Sequence, residues 1–280
     1  MASNKKIVLV TGSNKGIGYG IIEMLLEKKS NLRIILTSRN EDLGKKSFNK
    51  LLSKFPYSKD YLYYHQLDIT NKESISNLIS WIRRKFGKID YLVNNAGFGP
   101  HASVTEIDIH MSVLEINVFG TINFTEEMIN KNMINKKGKI IFVGSDSGYL
   151  YSLKSNKIKN DFKNAKTTQD LLNLAQSFKN SFLKGTEEKD GWCSSCYSVY
   201  KMIINSYPRI LSYRREIEKN DISVYSVHPG WVKTDMGGSH APLTIRQGAE
   251  CEVFLIELPD GINKEYQGKF FNRFTVSSFE

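Results

Sequence analysis

Several short constellations in this sequence carry residue types able to do chemistry. The first is Thr11-Gly12-Ser13-Asn14-Lys15-Gly16-Ile17-Gly18, which follows the apolar run Lys5–Thr11. Its glycines permit a tight turn and close backbone approach to a pyrophosphate. A helix beginning at Gly16 would aim unpaired N–H groups and a positive dipole end at that anion. The spacing is G-x-x-x-G-x-G, and its position between a first strand and a first helix gives it weight. The second constellation is Leu36-Thr37-Ser38-Arg39, where a second strand should end. A carboxylate there would hold a ribose 2′-hydroxyl, whereas an arginine accommodates a 2′-phosphate. Arg39, with Lys15 as a second cation, therefore points to NADP(H); the plain alternative is a pair of surface cations. Asp68, before Ile69, would touch an adenine edge or cap the helix expected near Lys72. Asn94-Asn95-Ala96-Gly97 supplies small and amide residues for a turn beside a cofactor. Beyond it come Gly144-Ser145-Asp146-Ser147-Gly148 at a strand end, and Tyr197 with Lys201. The latter pair is spaced i, i+4 and shares one helix face, as a surface pair would also do.

The elements that must position these groups alternate. Strands are expected at Lys5–Thr11, Leu32–Thr37, Tyr61–Leu67, Ile89–Val93, Lys139–Val143, Ile222–Val227 and Gly268–Phe271. Helices are expected at Gly16–Lys29, Glu41–Phe55, Lys72–Phe86, Met111–Lys131 and near Trp192–Ile217. Apolar strands separated by helices imply an α/β class: a Rossmann-type, doubly wound parallel sheet covered on both faces. Residues 150–191 break the rhythm, because a few residues would normally bridge a strand and the next helix. Leu171, Leu174, Ala175, Phe178 and Phe182 recur there at helical spacing. This is read as an inserted amphipathic helix, around Gln169–Leu183, before Tyr197. It would pack over the rim of the site or block a subunit interface.

In their joint order, Gly12/Gly16/Gly18, Asn94-Asn95-Ala96-Gly97, Ser145, Tyr197/Lys201 and Pro229-Gly230 resemble the short-chain dehydrogenase/reductase family. The long insertion, Gly191-Trp192, Pro229-Gly230-Trp231-Val232-Lys233-Thr234-Asp235-Met236 and Gln247-Gly248-Ala249-Glu250 look like its monomeric carbonyl reductase branch. The resemblance covers nearly the whole chain and implies a single domain over 1–280. It implies that Tyr197 protonates a carbonyl oxygen as hydride arrives, with Lys201 and, in the oxidised complex, the nicotinamide's charge favouring the phenolate and lowering its pKa. Ser145 would hydrogen-bond the same oxygen, and Asn117 would hold a water that resupplies protons through Lys201. Cofactor contacts are expected at Gly12, Asn14, Lys15, Gly16, Ile17, Gly18, Arg39, Asp68, Ile69, Asn95, Ala96, Gly97, Tyr197, Lys201, Pro229, Gly230, Trp231, Val232 and Thr234. Ser145, Trp231, Met236 and Tyr149 would meet the substrate; an aromatic in such a place is as often ordinary core. Val227-His228 stand where some similar reductases carry cysteines, which leaves thiol-dependent binding of glutathione conjugates unsupported.

Composition bounds the rest. The 39 Lys and Arg against 29 Asp and Glu give a net charge of +10. The cations form no run interleaved with aromatics, so a soluble surface is favoured over a nucleic-acid partner. No stretch is long and apolar enough to span a bilayer, and residues 1–6 are not read as a signal peptide. Cys193, Cys196 and Cys251 are few and odd in number, which fits a reducing cytoplasm. The spacing Cys193-Ser-Ser-Cys196 lacks two further ligands for zinc, so no metal is expected. The expectation is a cytoplasmic, monomeric NADPH-dependent reductase of small aldehydes, ketones or quinones. The alternatives are a dedicated metabolic ketone reductase and a catalytically silent NADP-binding sensor or scaffold.

Overall fold

The structure is a computed structural model that describes residues 5–99 and 107–280. The first four residues of the expected leaderless start lie outside it. Eight strands form one sheet in the order β3-β2-β1-β4-β5-β6-β7-β8. They are β1 (Lys6–Val10), β2 (Leu32–Ser38), β3 (Leu62–Gln66), β4 (Ile89–Asn94), β5 (Ile134–Val143), β6 (Ser223–His228), β7 (Phe270–Asn272) and β8 (Thr275–Ser277). All pairings are parallel except β7 with β8, a closing hairpin. The α/β, doubly wound expectation is met, with β8 added at the edge.

The helices are α1 (Gly16–Glu27), α2 (Glu41–Lys54), α3 (Lys72–Phe86), α4 (Ile107–Leu114), α5 (Thr121–Asn130), α6 (Asn156–Asn164), α7 (Thr168–Leu183), α8 (Cys196–Ser212), α9 (Arg215–Lys219) and α10 (Ile245–Glu257). Strand alternation sends side chains into two cores. Leu9 and Leu92 join Ile79, Ile122 and Ile203, from α3, α5 and α8, on one face. Val8, Val10 and Val93 join Ile21, Leu51 and Val253, from α1, α2 and α10, on the other. Chain order reverses beside β1, which is flanked by β2 and β4. The carboxyl ends of these strands therefore diverge into a crevice, the usual ligand position in such sheets.

Helix α10 was not foreseen, and three further elements differ from expectation. The helix foreseen over Met111–Lys131 is broken: α4 and α5 are joined by a π-helical turn, Glu115–Gly120. The insertion holds two helices, α6 as well as α7. The helix expected near Trp192–Ile217 is α8 followed by the short α9. The insertion packs onto the parent fold through α7, whose Leu171, Ala175 and Phe178 are buried. Phe178 meets Trp192 and Tyr200 edge-on, with ring centroids at 5.3 and 5.9 Å. At the start of α7, Thr168 donates to Glu126 of α5 at 2.7 Å, and Tyr207 of α8 donates to the same carboxylate oxygen at 2.8 Å. Arg214 completes this polar staple on the other oxygen. Among the described residues, no helix is long and apolar enough to cross a membrane.

Candidate active site

The strand ends open into one cleft of about 1970 Å³. At one end lies the glycine turn. Gly12 and Gly16 have φ of +60° and +59°, a region that L side chains rarely adopt. A Cβ on Gly12 would stand 2.8 Å from the Ala96 backbone, and one on Gly18 would stand 2.4 Å from the Asn95 amide nitrogen. Gly18 is thus buried packing behind the cleft, whereas Gly12, Asn14, Lys15, Gly16 and Ile17 line it. Asn95 ties the floor together by donating to the carbonyls of Thr11 and Gly12 at 2.8 and 3.1 Å. The N-terminus of α1 has no side-chain cap and no acid in its first turn. Side chains cap α2, α3, α7, α8 and α10 instead. An uncapped helix end facing a glycine cradle suits a pyrophosphate.

Arg39 lines the cleft and is exposed, and no ion pair holds it among the described residues. Lys15 lines the cleft too, but its ammonium is 2.5 Å from Asp235. This pair joins the glycine turn to the segment after β6, so Lys15 is not simply a second cation for a phosphate. Asp68 and Ile69 line the same end. Asp68 accepts from the Thr70 backbone and hydroxyl at 2.9 and 2.7 Å. It does not cap α3; Asn71 does, accepting from Ser74 at 2.9 Å. Ala96, Gly97, Pro229, Gly230, Val232 and Thr234 complete the wall where the sequence placed them.

At the other end the cleft gathers Ser145, Tyr197, Lys201 and Asn117. Helix α8 supplies Tyr197 and Lys201 and also holds the serine loop. Asn205 donates to the Ser145 carbonyl at 2.8 Å and accepts from the Ser145 N–H at 3.3 Å. A Cβ on Gly148 would be 2.6 Å from the Lys201 backbone, so the loop can seat only with glycine there. Lys201 donates to the Val143 carbonyl at 2.8 Å and lies 5.6 Å from the Tyr197 ring centroid. Burial lowers its pKa to about 8, partly opposed by the Glu252 carboxylate. Burial also pushes the Tyr197 phenol up to about 12; a Ser145 hydrogen bond opposes this and the Asp146 charge adds to it. The lowering expected from Lys201 belongs to the oxidised complex, with the nicotinamide's charge beside it; in the chain alone, desolvation of the phenolate dominates. Asn117 sits in the π turn, and its amide donates to and accepts from the Phe98 backbone at 2.6 and 2.8 Å. π turns often mark functional positions. Here one pins the Gly97–Gly99 segment along the cleft.

Trp231 and Met236 stand half-exposed at the mouth. The Trp231 ring N–H donates to Gly237 at 2.8 Å, and Met236 packs over Gly99. Tyr149 is not part of the wall. It stacks on Tyr151 and lies edge-on to Phe270, because the turn after Ser145 carries it away from the cleft. The aromatic wall is supplied instead by Phe182 of α7, edge-on to His110 at 5.4 Å. Sequence reasoning passed over those two residues and also Asp146 and His228, which line the cleft, and Asn205, which clamps it. The three cysteines are unbridged and buried, and burial pushes Cys196 up to about 12, so none is poised as a thiolate.

The family model for short chain dehydrogenases matches residues 6–156, more than half of the chain. The chain belongs to the short-chain dehydrogenase family. Carbonyl reductase [NADPH] 1 of Rattus norvegicus is 33% identical over 268 residues, 93% of this chain and 94% of the relative. The (+)-neomenthol dehydrogenase of Arabidopsis thaliana is 30% identical, covering 98% of each chain. Among solved structures, salutaridine reductase from Papaver somniferum superposes with a TM-score of 0.83 at 26% identity, covering 95% of this chain and 99% of that one. These short-chain dehydrogenase relatives span the insertion as well as the glycine turn.

Proposed function

We propose that the chain is an NADPH-dependent carbonyl reductase in which Tyr197 is the acid and 1–280 works as a single domain. The observation that carries this reading is the convergence of Ser145, Tyr197 and Lys201 at one end of the cleft whose other end holds the uncapped α1 terminus and Arg39. The residues present fit the dinucleotide: the glycine turn and α1 for its pyrophosphate, Arg39 for its 2′-phosphate, and Asn95, Gly97, Pro229 and Gly230 along its length. Bound there, NADPH supplies a hydride to the carbonyl carbon. Ser145 donates a hydrogen bond to the carbonyl oxygen as charge develops on it. Tyr197 then gives up its phenolic proton to that oxygen. Its raised pKa keeps it protonated at neutral pH, the form that reduction requires. Lys201, anchored on Val143, keeps a positive charge beneath the phenol up to about pH 8. The Asn117 side chain is engaged by the Phe98 backbone through both its donor and its acceptor.

Tyr197→Phe tests this. The ring still packs, but the proton is gone, so consumption of NADPH with a quinone or aldehyde should fall about a hundredfold or more. NADPH affinity, read by fluorescence titration, should stay close to the parent's. Near-parent turnover would overturn the assignment, and a parent that binds NADPH without turning over any carbonyl would favour the sensor reading.

A further inference from the structure

The residue after Ser145 has no task in the mechanism above. Asp146 opens a single 3-10 turn, Asp146–Gly148, that is closed without its help: Ser145 Oγ accepts from the Ser147 N–H at 3.1 Å, and Asn205 holds the Ser145 carbonyl. The Asp146 side chain instead faces the cleft and is 49% exposed. One carboxylate oxygen is 3.4 Å from Ser145 Oγ. The other is 3.2 Å from Nε2 of His228, the last residue of β6, whose own side chain is 11% exposed. Two neighbouring strand ends thus hold a carboxylate that is backed by an imidazole on one side and open to the cleft on the other. The surrounding charges do not cancel it. Lys201 and Arg273 act on His228, but each has its own acceptor, the carbonyls of Val143 and Gln247. Burial, with those two cations, lowers the His228 pKa despite the pull of Asp146. Burial and these cations thus favour the neutral imidazole, so the Asp146 carboxylate is not offset by a full positive charge on its neighbour.

A negative charge beside an oxygen on which negative charge develops hinders reduction of a plain ketone. A substrate that brings its own cation or donor to the carboxylate removes that penalty. We propose that Asp146, oriented by His228, is a substrate subsite for an ammonium or hydroxyl group on the carbon next to the reacting carbonyl, so that the preferred substrates are α-amino and α-hydroxy ketones or aldehydes. This rests on the reductase reading for the location of the carbonyl at Ser145. The 3.4 Å between the two oxygens sets the spacing: a carbonyl oxygen on Ser145 and a donor on the adjacent carbon reach both, whereas a donor several carbons away does not. Charge-assisted hydrogen bonds are the stronger class, so an ammonium should be favoured over a hydroxyl.

The test compares 2-aminoacetophenone bearing its amine on the methyl carbon, 2-hydroxyacetophenone and acetophenone, with the parent and with Asp146→Asn. The parent's kcat/KM should favour the amino ketone over acetophenone by about tenfold or more, and Asp146→Asn should reduce that ratio to near one. His228→Gln, which keeps a neutral partner for the carboxylate, should retain most of the ratio. A parent ratio near one, or a ratio unchanged in Asp146→Asn, overturns the subsite. Calorimetric binding of 2-amino-1-phenylethanol against 1-phenylethanol to the NADP(H)-loaded proteins gives a readout that needs no turnover. If no carbonyl compound, including a reactive quinone, is reduced, the reductase reading fails. The subsite then stands or falls on whether the amino alcohol binds the parent more tightly than Asp146→Asn.

Discussion

Two cations at the cofactor end look equivalent in sequence, yet the fold gives them different work. Arg39 stands at the end of β2 without a carboxylate partner among the described residues, while Lys15 spends its charge on Asp235 at 2.5 Å. A charge-assisted contact to phosphate is worth about 1.5–3 kcal/mol, more than tenfold in affinity. Arg39→Asp should therefore erase or invert a preference for NADPH, whereas Lys15→Ala should weaken it less. Titration of both dinucleotides against the two variants checks this, and a larger loss from Lys15→Ala would show that the Asp235 pair opens to release the lysine. The same contrast explains what was legible residue by residue. Gly12, Ser145, Tyr197 and Lys201 could be read because backbone approach or acid–base chemistry restricts their type and spacing. Asp146, His228 and Asn205 could not, because each acquires its role from a neighbour tens of positions away. Tyr149 misled for the converse reason: its distance in sequence from Ser145 is small, but one 3-10 turn rotates it onto Phe270.

Helix periodicity found α7, with its apolar face, and missed α6, where only Ile158 and Phe162 are buried among lysines and asparagines. It also ran straight through the π turn, since Glu115–Gly120 contains nothing that forbids an ordinary helix. Helix α10 carries a group that its periodicity would place among apolar residues: Glu252, fully buried, with both carboxylate oxygens lacking a hydrogen-bond partner among the described residues. Burial raises its pKa from 4.5 to about 8, against the pull of Lys201. A folded-state pKa above the unfolded value means that the stabilising proton is fully present below about pH 4.5 and lost as pH rises through about 8. The chain should thus lose stability over that window, on the order of a few kcal/mol. Lys201, lowered to about 8 from 10.5, acts in the opposite sense only above that window. Thermal melts of the parent and Glu252→Gln between pH 5 and 8.5 decide the matter. The variant should show the flatter profile, and parallel profiles would mean that the carboxyl finds a partner or water and titrates normally.

At the scale of the whole molecule, a parallel sheet covered on both faces followed from the alternation of apolar strands with helices, whereas the strand order, and with it the reversal beside β1 that opens the cleft, did not. The insertion was legible as an amphipathic helix lying over the rim of the site or an interface, but the groups that receive it were not, because they lie far off in the sequence. The structure seats α7 on α8 through Leu171, Ala175 and Phe178 and staples its first turn to Glu126. Its outward face is polar: Gln169 donates to Asn173, and Gln176 to Asn180, each at 2.9 Å. A second chain approaching this face would have to desolvate amides that already pair within the helix, with little apolar area to bury in return. The insertion covers α8 from within the chain, and the expectation is that no symmetric partner packs on that side. Light scattering across a dilution series should give a mass near the 32.0 kDa of one chain at every concentration. A dimer that persists on dilution would require an interface elsewhere and would reduce the insertion to a wall of the cleft, through Phe182, rather than a cap on an assembly surface.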